Sequence, residues 1–294
     1  MPNDCSSHHC HYFYHGSAYG LAGEIERPVQ QSIPALAACS LSSSGGRAAQ
    51  RQEKFSLSPF IRFDAAYTEV GGSYDECHNN HTTYTYSVVE GLNIADMVTA
   101  DRVVARVVVY SPECGKDDGE HSFDITGSYF ENLKVAGHPI DVKLSTHKFN
   151  QHDTYSKFEN AFHSEEGNDL LPWGRQSSKQ LDELEKLEKQ YHALTGIGSR
   201  AKRWHGKSNR PKGGTYWSSA AGHLNLNDKI QDTEMQGFGG IILIPKFGVV
   251  RLAQVLVHKD YRRLVMFQVQ MCSGAGGTTD GSGGVGGGSG GTRP

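Results

Sequence analysis

Apolar and polar side chains alternate through much of the first half of the chain. The apolar members of two adjoining stretches occupy every second position: Phe55, Leu57, Ile61, Phe63, Ala65 and Tyr67. A period of two predicts β-strands with one buried face. After a glycine-containing turn, the β-branched and aromatic residues 82–90 predict a strand that completes a hairpin.

The stretch from Val88 to Tyr110 sets five charged residues among small and β-branched apolar ones: Glu90, Asp96, Asp101, Arg102 and Arg106. We expect the preceding strand to end near Glu90 and Gly91, before a short turn-rich crossing that has Asp96 and Asp101 at its ends. Residues 101–110 then predict a strand with one apolar face. The favoured interpretation of the charges is structural, with the two arginines pointing at water.

The middle of the chain, about residues 150–196, changes to a helical period. Its apolar residues recur at intervals of three or four: Leu181, Leu184, Leu187, Tyr191 and Leu194. Ser177 and Gln180 fit a capping box, and Gly196 stands where a C-cap is expected. A shorter helix upstream is expected to begin at Asp153 as its N-cap.

Strand-like composition returns in residues 239–257 and 262–271. The order of strands, helices and strands predicts a mainly β fold, a single sandwich-like or barrel-like domain over residues 13–272. Within it we expect an inserted helical segment (about 150–196) and a basic loop (198–214). The His/Cys-rich residues 1–12 are expected to be flexible. The Gly/Ser-rich tail, residues 273–294, is expected to be disordered, because it cannot bury enough area to fold.

Composition narrows the functional classes. The formal net charge of the 294 residues is −3, which does not favour nucleic acid or an anionic membrane as the main partner. No apolar run approaches the length of a membrane helix, and the N-terminus lacks the features of a Sec signal peptide. We therefore expect a soluble protein, cytoplasmic unless it reaches the cell envelope or exterior by another route. Six scattered cysteines without a CxxC pair favour a reducing compartment.

No nucleophile elbow, P-loop, dinucleotide fingerprint or H-E-x-x-H motif occurs in the sequence. The leading hypothesis is accordingly a non-catalytic β-rich binding or structural protein, with a small molecule or a protein as its partner. The alternative is a metal-dependent hydrolase acting on an ester or a lactone. Its candidate catalytic residues are Asp96, Asp101 and His138, because carboxylates and imidazoles serve both as acid/base groups and as metal ligands.

Two groups of residues are candidate ligands for a divalent metal, zinc or calcium. The denser group lies at the N-terminus: His8, His9, Cys10 and His11. A structural zinc site usually draws ligand pairs from two separated segments, and the nearest further candidates are Cys77, His78 and His81. The second group is the adjacent pair His152 and Asp153. A solvated terminus without a resident metal is the favoured interpretation of the first group.

A basic run follows the predicted helix and contains the candidate binding residues Arg200, Lys202, Arg203 and Trp204. Cations beside aromatic rings can bind an anion or a single-stranded nucleic acid. The preceding helix is acidic, so the two charge blocks can also pair with each other. That second interpretation is favoured, and nucleic acid remains the less expected partner.

Three stretches carry a resemblance to a known family: VEGLNIADMVTADRVVAR (Val89–Arg106), GSYFENLKVAGHPIDVKL (Gly127–Leu144) and IPKFGVVRLAQVLV (Ile244–Val257). In order and spacing they resemble a family of uncharacterised, conserved hypothetical bacterial proteins. A weaker similarity extends to the β-rich surface proteins called choice-of-anchor proteins. The resemblance implies a single β-rich domain and no assigned reaction. Since anchored relatives are typically exported, the absence of a signal peptide departs from their pattern.

Overall fold

The computed structural model describes residues 12–25, 31–112, 119–165, 167–191, 194, 196–205, 209–222, 224–225, 235–271 and 281–288. The strands in these ranges are β1 (His15–Tyr19), β2 (Leu21–Ile25), β3 (Gln31–Leu36), β4 (Cys39–Ser40), β5 (Gly46–Leu57), β6 (Ile61–Asp75), β7 (Asn80–Ile94), β8 (Val98–Pro112), β9 (Ser122–Asp124), β10 (Tyr129–Glu131), β11 (Lys134–Val135), β12 (His138–Pro139), β13 (Asp141–Val142), β14 (Tyr216–Ser219), β15 (Leu224–Asn225), β16 (Gln236–Phe238), β17 (Ile241–Ile244), β18 (Gly248–Val257), β19 (Tyr261–Met271) and β20 (Gly281–Gly288). The helices are α1 (Thr146–Gln151), α2 (Tyr155–His163), α3 (Gly167–Leu170), α4 (Ser178–Gln190) and α5 (Ile197–Trp204).

Two antiparallel sheets form the body of the protein. The first, which we call the long sheet, has the strand order β12-β11-β8-β7-β6-β5, with β9 and β10 also paired to β8. Its strands β6, β7 and β8 are 15 residues each and are joined by consecutive hairpins. The second sheet has the order β16-β17-β18-β19-β20-β1-β4, with β14 paired to β18. The mainly β prediction is confirmed.

The two sheets pack face to face, with β1 against β6 and β7, and β19 against β8. Their inner faces bury β-branched and small apolar side chains such as Ala18, Val70, Val89 and Val107. Burying such surface is the main favourable contribution to folding. In the described part of the chain neither sheet closes on itself, so the architecture is a sandwich and the barrel-like alternative is wrong.

At one row of residues across the long sheet, the side chains that point inward switch from one alternating set to the other. The row contains Lys54, Asp64, Gly91 and Asp101, which stand opposite one another because the flanking pairs keep one register. On β6, Ile61 and Phe63 are buried before the row, whereas Ala66, Thr68 and Val70 are buried after it. The same shift by one position occurs on β5, β7 and β8.

This shift corrects two expectations. Strand β7 does not end at Gly91 but continues through it to Ile94, and the turn is confined to residues 95–97. Tyr67, which the alternation places on the same face as Phe63, lies on the opposite face. The physical cause is the left-handed backbone of Gly91 (φ 63°), where a Cβ atom would overlap the Asp64 carboxyl group.

The segment predicted as a disordered tail contains β20. Gly281–Gly288 forms backbone pairs with β19 on one side and β1 on the other. Backbone hydrogen bonding does not depend on side chains, so a glycine-rich segment can occupy a sheet when two strands flank it. Residues 273–280 and 289–294 of that tail lie outside the described residues, as do residues 1–11.

The helices extend over a longer range than expected, and α5 occupies the start of the predicted basic loop. The capping box of Ser177 and Gln180 is present at the start of α4. Two other caps differ from the prediction. Thr154, not Asp153, caps α2, and Gly196 stands at the N-terminus of α5 (φ 76°) because α4 ends at Gln190. Apolar residues keep recurring at helical spacing between α4 and α5, so the sequence pattern does not reveal that the helix is interrupted there.

Aromatic contacts attach the helical region, including the turn after α3, to the strands. Phe149 of α1 contacts Phe123 of β9, and Trp173 contacts Trp217 of β14. The Ser218 hydroxyl donates to the Leu170 carbonyl oxygen. Strand β18 is buried along nearly its whole length, as expected of a strand that is covered on both faces.

Arg210 links three helices from a buried position, with 3% of its surface exposed. Its guanidinium donates to the carbonyl oxygens of Phe162 and Trp204 and to the Asn168 side chain. It also lies over the Phe162 ring, 5.6 Å from the centroid. Burial lowers the pKa of Arg210, and the hydrogen bonds together with the ring stabilise the charge.

Gly91→Ala is expected to destabilise the protein more than Gly137→Ala. Both glycines have positive φ, 63° and 79°, but a Cβ at Gly137 would meet nothing within 4 Å. Backbone strain of about 1–3 kcal/mol is therefore common to both variants, and displacement of Asp64 is added only at Gly91. Urea unfolding of the two variants measures the difference. Equal losses of unfolding free energy would show that Asp64 does not constrain this position.

Candidate functional site

Tyrosines line the outer face of the long sheet, the face directed away from the second sheet. Tyr67 lies on β6, Tyr84 and Tyr86 on β7, and Tyr129 on β10. On β7 the inward positions are buried and the two tyrosines between them are half-buried. Because alternate residues of a strand point to opposite faces, the three ladders from β6 to β10 bring these rings onto one surface.

Between these rings lies a shallow depression of about 300 Å³, which we call the tyrosine depression. It is lined by Arg51, Ala65, Tyr67, Tyr86, Val88, Glu90, Arg102 and Tyr129. The floor is apolar at Ala65 and Val88. The rings of Tyr67 and Tyr86 approach each other edge to face, 6.4 Å between centroids. Charged groups lie at the rim. Such a combination of aromatic surface and a few polar groups is typical of ligand sites.

Glu69 holds one end of this surface in place. Its Oε2 accepts from Arg47 Nη2 at 2.7 Å and from the Tyr67 hydroxyl, and its Oε1 accepts from the Tyr84 hydroxyl at 2.6 Å. The hydrogen bond from Arg47, with those from the two tyrosines, lowers the pKa of Glu69 to about 2 against the opposing effect of burial. Burial and the Glu69 carboxylate raise the pKa of Tyr84 to about 12. Glu69 is therefore an ionised acceptor at neutral pH.

The two adjacent glycines of β6 make room for rings on both faces of the sheet. Gly71 stands opposite Tyr84, and a Cβ at Gly71 would overlap the Tyr84 ring on the outer face. A Cβ at Gly72 would overlap Tyr14 on the inner side. The ring of Tyr84 can therefore lie flat across β6 and reach Glu69.

The other end of the depression is held by a pair across β7 and β8. Arg102 donates from Nη2 at 2.7 Å and from Nε at 3.1 Å to Oε1 of Glu90. Its pKa is raised by hydrogen bonds with Tyr129 and Glu90. Arg106, the second outward arginine, instead donates to Asp124 Oδ2 at 3.1 Å and to the Thr126 carbonyl oxygen at 2.7 Å. The expectation that both arginines face outward is confirmed, and Arg102 contributes to the depression.

The candidate catalytic residues have separate partners. Asp96 lies in the β7–β8 turn and accepts from Asn93 at 2.8 Å and from Arg62 at 3.2 Å. Asp101 lies within β8 and accepts from Asn132 at 2.6 Å. His138 begins β12. Within the described ranges no three His, Cys, Asp or Glu side chains come together as metal ligands.

The second candidate metal pair is divided between two environments. His152 caps the C-terminus of α1 and lines a shallow surface depression, whereas the Asp153 carboxylate pairs with Lys157 at 2.9 Å. The N-terminal candidates His8, His9, Cys10 and His11 lie outside the described residues.

The basic residues lie on helix α5 and have contacts within the chain. Lys202 pairs with Asp182 at 3.1 Å and with Glu185 at 2.7 Å, so the two charge blocks do pair. Arg200 lies over the Trp217 ring, 5.5 Å from its centroid, and Trp204 contacts Phe162 and Trp173. Arg203 is exposed on the same helix. Three of these four residues therefore contribute to the packing or charge balance of the helices.

Sequence reasoning did not identify the tyrosine depression. Its signal was present, since Tyr67 and Glu69 on β6 and Tyr84 and Tyr86 on β7 alternate with smaller residues. The alternation assigned Tyr67 to the buried face, because a regular pattern of every second residue does not reveal that the buried set changes by one position at Asp64 and Gly91.

The fold and this surface define a class: a two-sheet β-sandwich with attached helices and an open, tyrosine-lined sheet face. None of the helices in the described ranges is both long enough and apolar enough to cross a membrane. Residues 12–258 match the model of a family described as a domain of unknown function, DUF8256, and the chain belongs to that family. No curated protein and no solved structure matches it. The expectation of an uncharacterised family is confirmed, whereas the similarity to choice-of-anchor proteins remains a prediction.

Glu69→Gln is expected to destabilise the protein by about 1–3 kcal/mol at pH 7, because a neutral amide replaces a half-buried carboxylate that accepts hydrogen bonds from three donors. The folded-state pKa of Glu69 is about 2, below its ordinary 4.5. Its contribution is therefore fully present above pH 4.5 and decreases as the pH falls towards 2. Urea unfolding of both proteins from pH 7 to pH 3 tests this.

The control for that series is Glu53→Gln on β5, whose side chain is 71% exposed. Its effect on unfolding free energy should be small at every pH. A constant difference between wild type and Glu69→Gln over the whole pH range would contradict the ionised, hydrogen-bonded role of Glu69.

Proposed function

We propose that this protein is a non-catalytic binding protein and that the tyrosine depression is its ligand site. The observation that carries the proposal is the convergence of Tyr67, Tyr86 and Tyr129 on one apolar floor with an Arg–Glu pair beside them. Partly exposed aromatic rings on an open sheet face are costly to hydrate and gain free energy when a ligand covers them.

The ligand class that fits is a carbohydrate. A sugar ring presents an apolar C–H face that can pack on a tyrosine ring, and hydroxyl groups at its edge that both donate and accept. In the described part of the chain both bonds from Arg102 end on Oε1 of Glu90, so Oε2 can accept from a ligand hydroxyl. Arg51 and Arg102 can donate to hydroxyl or carboxylate oxygens.

The size of the depression favours a small ligand over a protein surface. A volume of about 300 Å³ is at the lower end of small-molecule sites, whereas stable protein interfaces cover roughly 800 Å² on each partner. The charges at the rim, Arg51, Glu90 and Arg102, sum to +1, which suits a neutral or weakly acidic sugar.

Binding of soluble oligosaccharides, measured by isothermal titration calorimetry, tests the proposal. The panel contains cello-, xylo-, manno- and chito-oligosaccharides together with oligogalacturonate as the acidic member. Tyr86→Ala and Tyr129→Ala are each expected to weaken binding about tenfold, because each removes one ring contact worth about 1–1.5 kcal/mol.

The matched control is Tyr110→Ala. Tyr110 is 37% exposed and lies on the same face of β8, but it does not line the depression. The Tyr110→Ala variant should bind sugars with the affinity of the wild type. Circular dichroism checks that each variant is folded. Equal affinity of all three folded variants, or no binding of any sugar in the panel to the wild type, would overturn the proposal.

A further inference from the structure

The residues that line the tyrosine depression come from five neighbouring strands of the long sheet: β5, β6, β7, β8 and β10. Strand pairing arranges several of them in one row. Arg51 opposes Tyr67, and Tyr67 opposes Val88. Val88 opposes Val104 of β8, which in turn opposes Tyr129. Because directly opposite residues of paired strands lie on one face, this row, which we call the apolar row, crosses the outer surface from strand to strand.

The apolar row extends from one edge of the long sheet to the other. Strand β5 is the last strand on one side, and β10 pairs with β8 on the other. Among the described strands neither β5 nor β10 has a second partner, so no further strand closes either end of the depression. Four strand spacings of about 4.8 Å make the row about 19 Å long, whereas Tyr86 and Glu90 limit the depression to about 14 Å along the strands. The depression is therefore longest across the strands.

A second row, the polar row, runs beside the first on the same face. Ala65 opposes Glu90, and Glu90 opposes Arg102. Glu53 of β5 and Glu131 of β10 continue this row to the two edges of the sheet. A ligand that lies along the two rows therefore meets rings and aliphatic side chains beneath it and hydrogen-bonding groups along one side.

We propose that the tyrosine depression binds an internal segment of a linear polysaccharide, with the chain lying across the strands from β5 to β10. This inference rests on the proposed function and specifies the form of the ligand. Separate sugar units pack their C–H faces on the rings of Tyr67 and Tyr129, while hydroxyl groups reach Glu90 and Arg102. A volume of about 300 Å³ accommodates only a short segment, and the remainder of the chain extends past both edges of the sheet.

A single-stranded nucleic acid is another linear polymer that can stack on tyrosine rings. It carries a negative charge on every unit. Over the two rows the carboxylates of Glu53, Glu90 and Glu131 outnumber the guanidinium groups of Arg51 and Arg102. Like charges placed opposite one another suppress binding, so the charges of this surface favour an uncharged sugar chain over a chain of phosphates.

Isothermal titration calorimetry with mono- to hexasaccharides of the cello-, xylo- and manno- series tests the inference on the full chain. The affinity is expected to rise about tenfold with each further ring contacted and to level off once the depression is filled. Borohydride reduction of the hexasaccharide at its reducing end should leave the affinity unchanged, because the bound segment is internal. Tyr129→Ala should bind the hexasaccharide about tenfold more weakly, whereas Tyr110→Ala should match the wild type.

The corresponding soluble polymers, β-glucan, xylan and glucomannan, distinguish internal from terminal binding by stoichiometry. Analytical ultracentrifugation should show more protein molecules on each polymer chain than the chain has ends. Binding confined to chain ends, or a monosaccharide that binds as tightly as the hexasaccharide, would overturn the inference and leave the proposed function in place. Binding of oligothymidylate without binding of any sugar, or no binding of any of these probes, would overturn both.

Discussion

The left-handed backbone of Gly91, with the Asp64 carboxyl group beside it, controls which side chains of the long sheet face water. At the row of Lys54, Asp64, Gly91 and Asp101 the inward-facing set changes by one position on four adjoining strands. Since a shift by one residue exchanges the two faces of a strand, this row places Tyr67 and Glu69 on the outer surface. Without it, the same residues would point into the sandwich.

The outer surface that results is held by polar contacts among its own side chains. Glu69 binds Arg47, Tyr67 and Tyr84 at one end, and Glu90 binds Arg102 at the other. The ring of Tyr84 reaches Glu69 only because Gly71 lacks a side chain. Side chains whose orientation is fixed before binding lose less conformational entropy when a ligand arrives. The geometry is therefore the one expected of the proposed ligand site.

The helices in the described ranges leave this surface uncovered. They contact β9, β14 and the second sheet, where β18 is buried on both faces. Arg210 holds α2 and α5 through the carbonyl oxygens of Phe162 and Trp204, and α3 through the Asn168 side chain. The long sheet, in contrast, keeps one face against the second sheet and the other exposed to solvent, as antiparallel sheets commonly do. At the far end of its β6–β7 hairpin, the Tyr12 ring stacks on the His81 ring and attaches the start of the described chain to this sheet.

The sequence by itself determined the mainly β class, the strands of the long sheet, the start of α4 at Ser177 and the outward direction of Arg102 and Arg106. These features depend on neighbours within one strand or one helical turn, which a periodic pattern records. The tyrosine depression, the change of face at Gly91, the pairing of Gly281–Gly288 and the proximity of Tyr12 to His81 were decided only by the tertiary structure. Each depends on contacts between residues far apart in sequence, and no local pattern of hydrophobic and polar positions encodes which strands become neighbours or in what register.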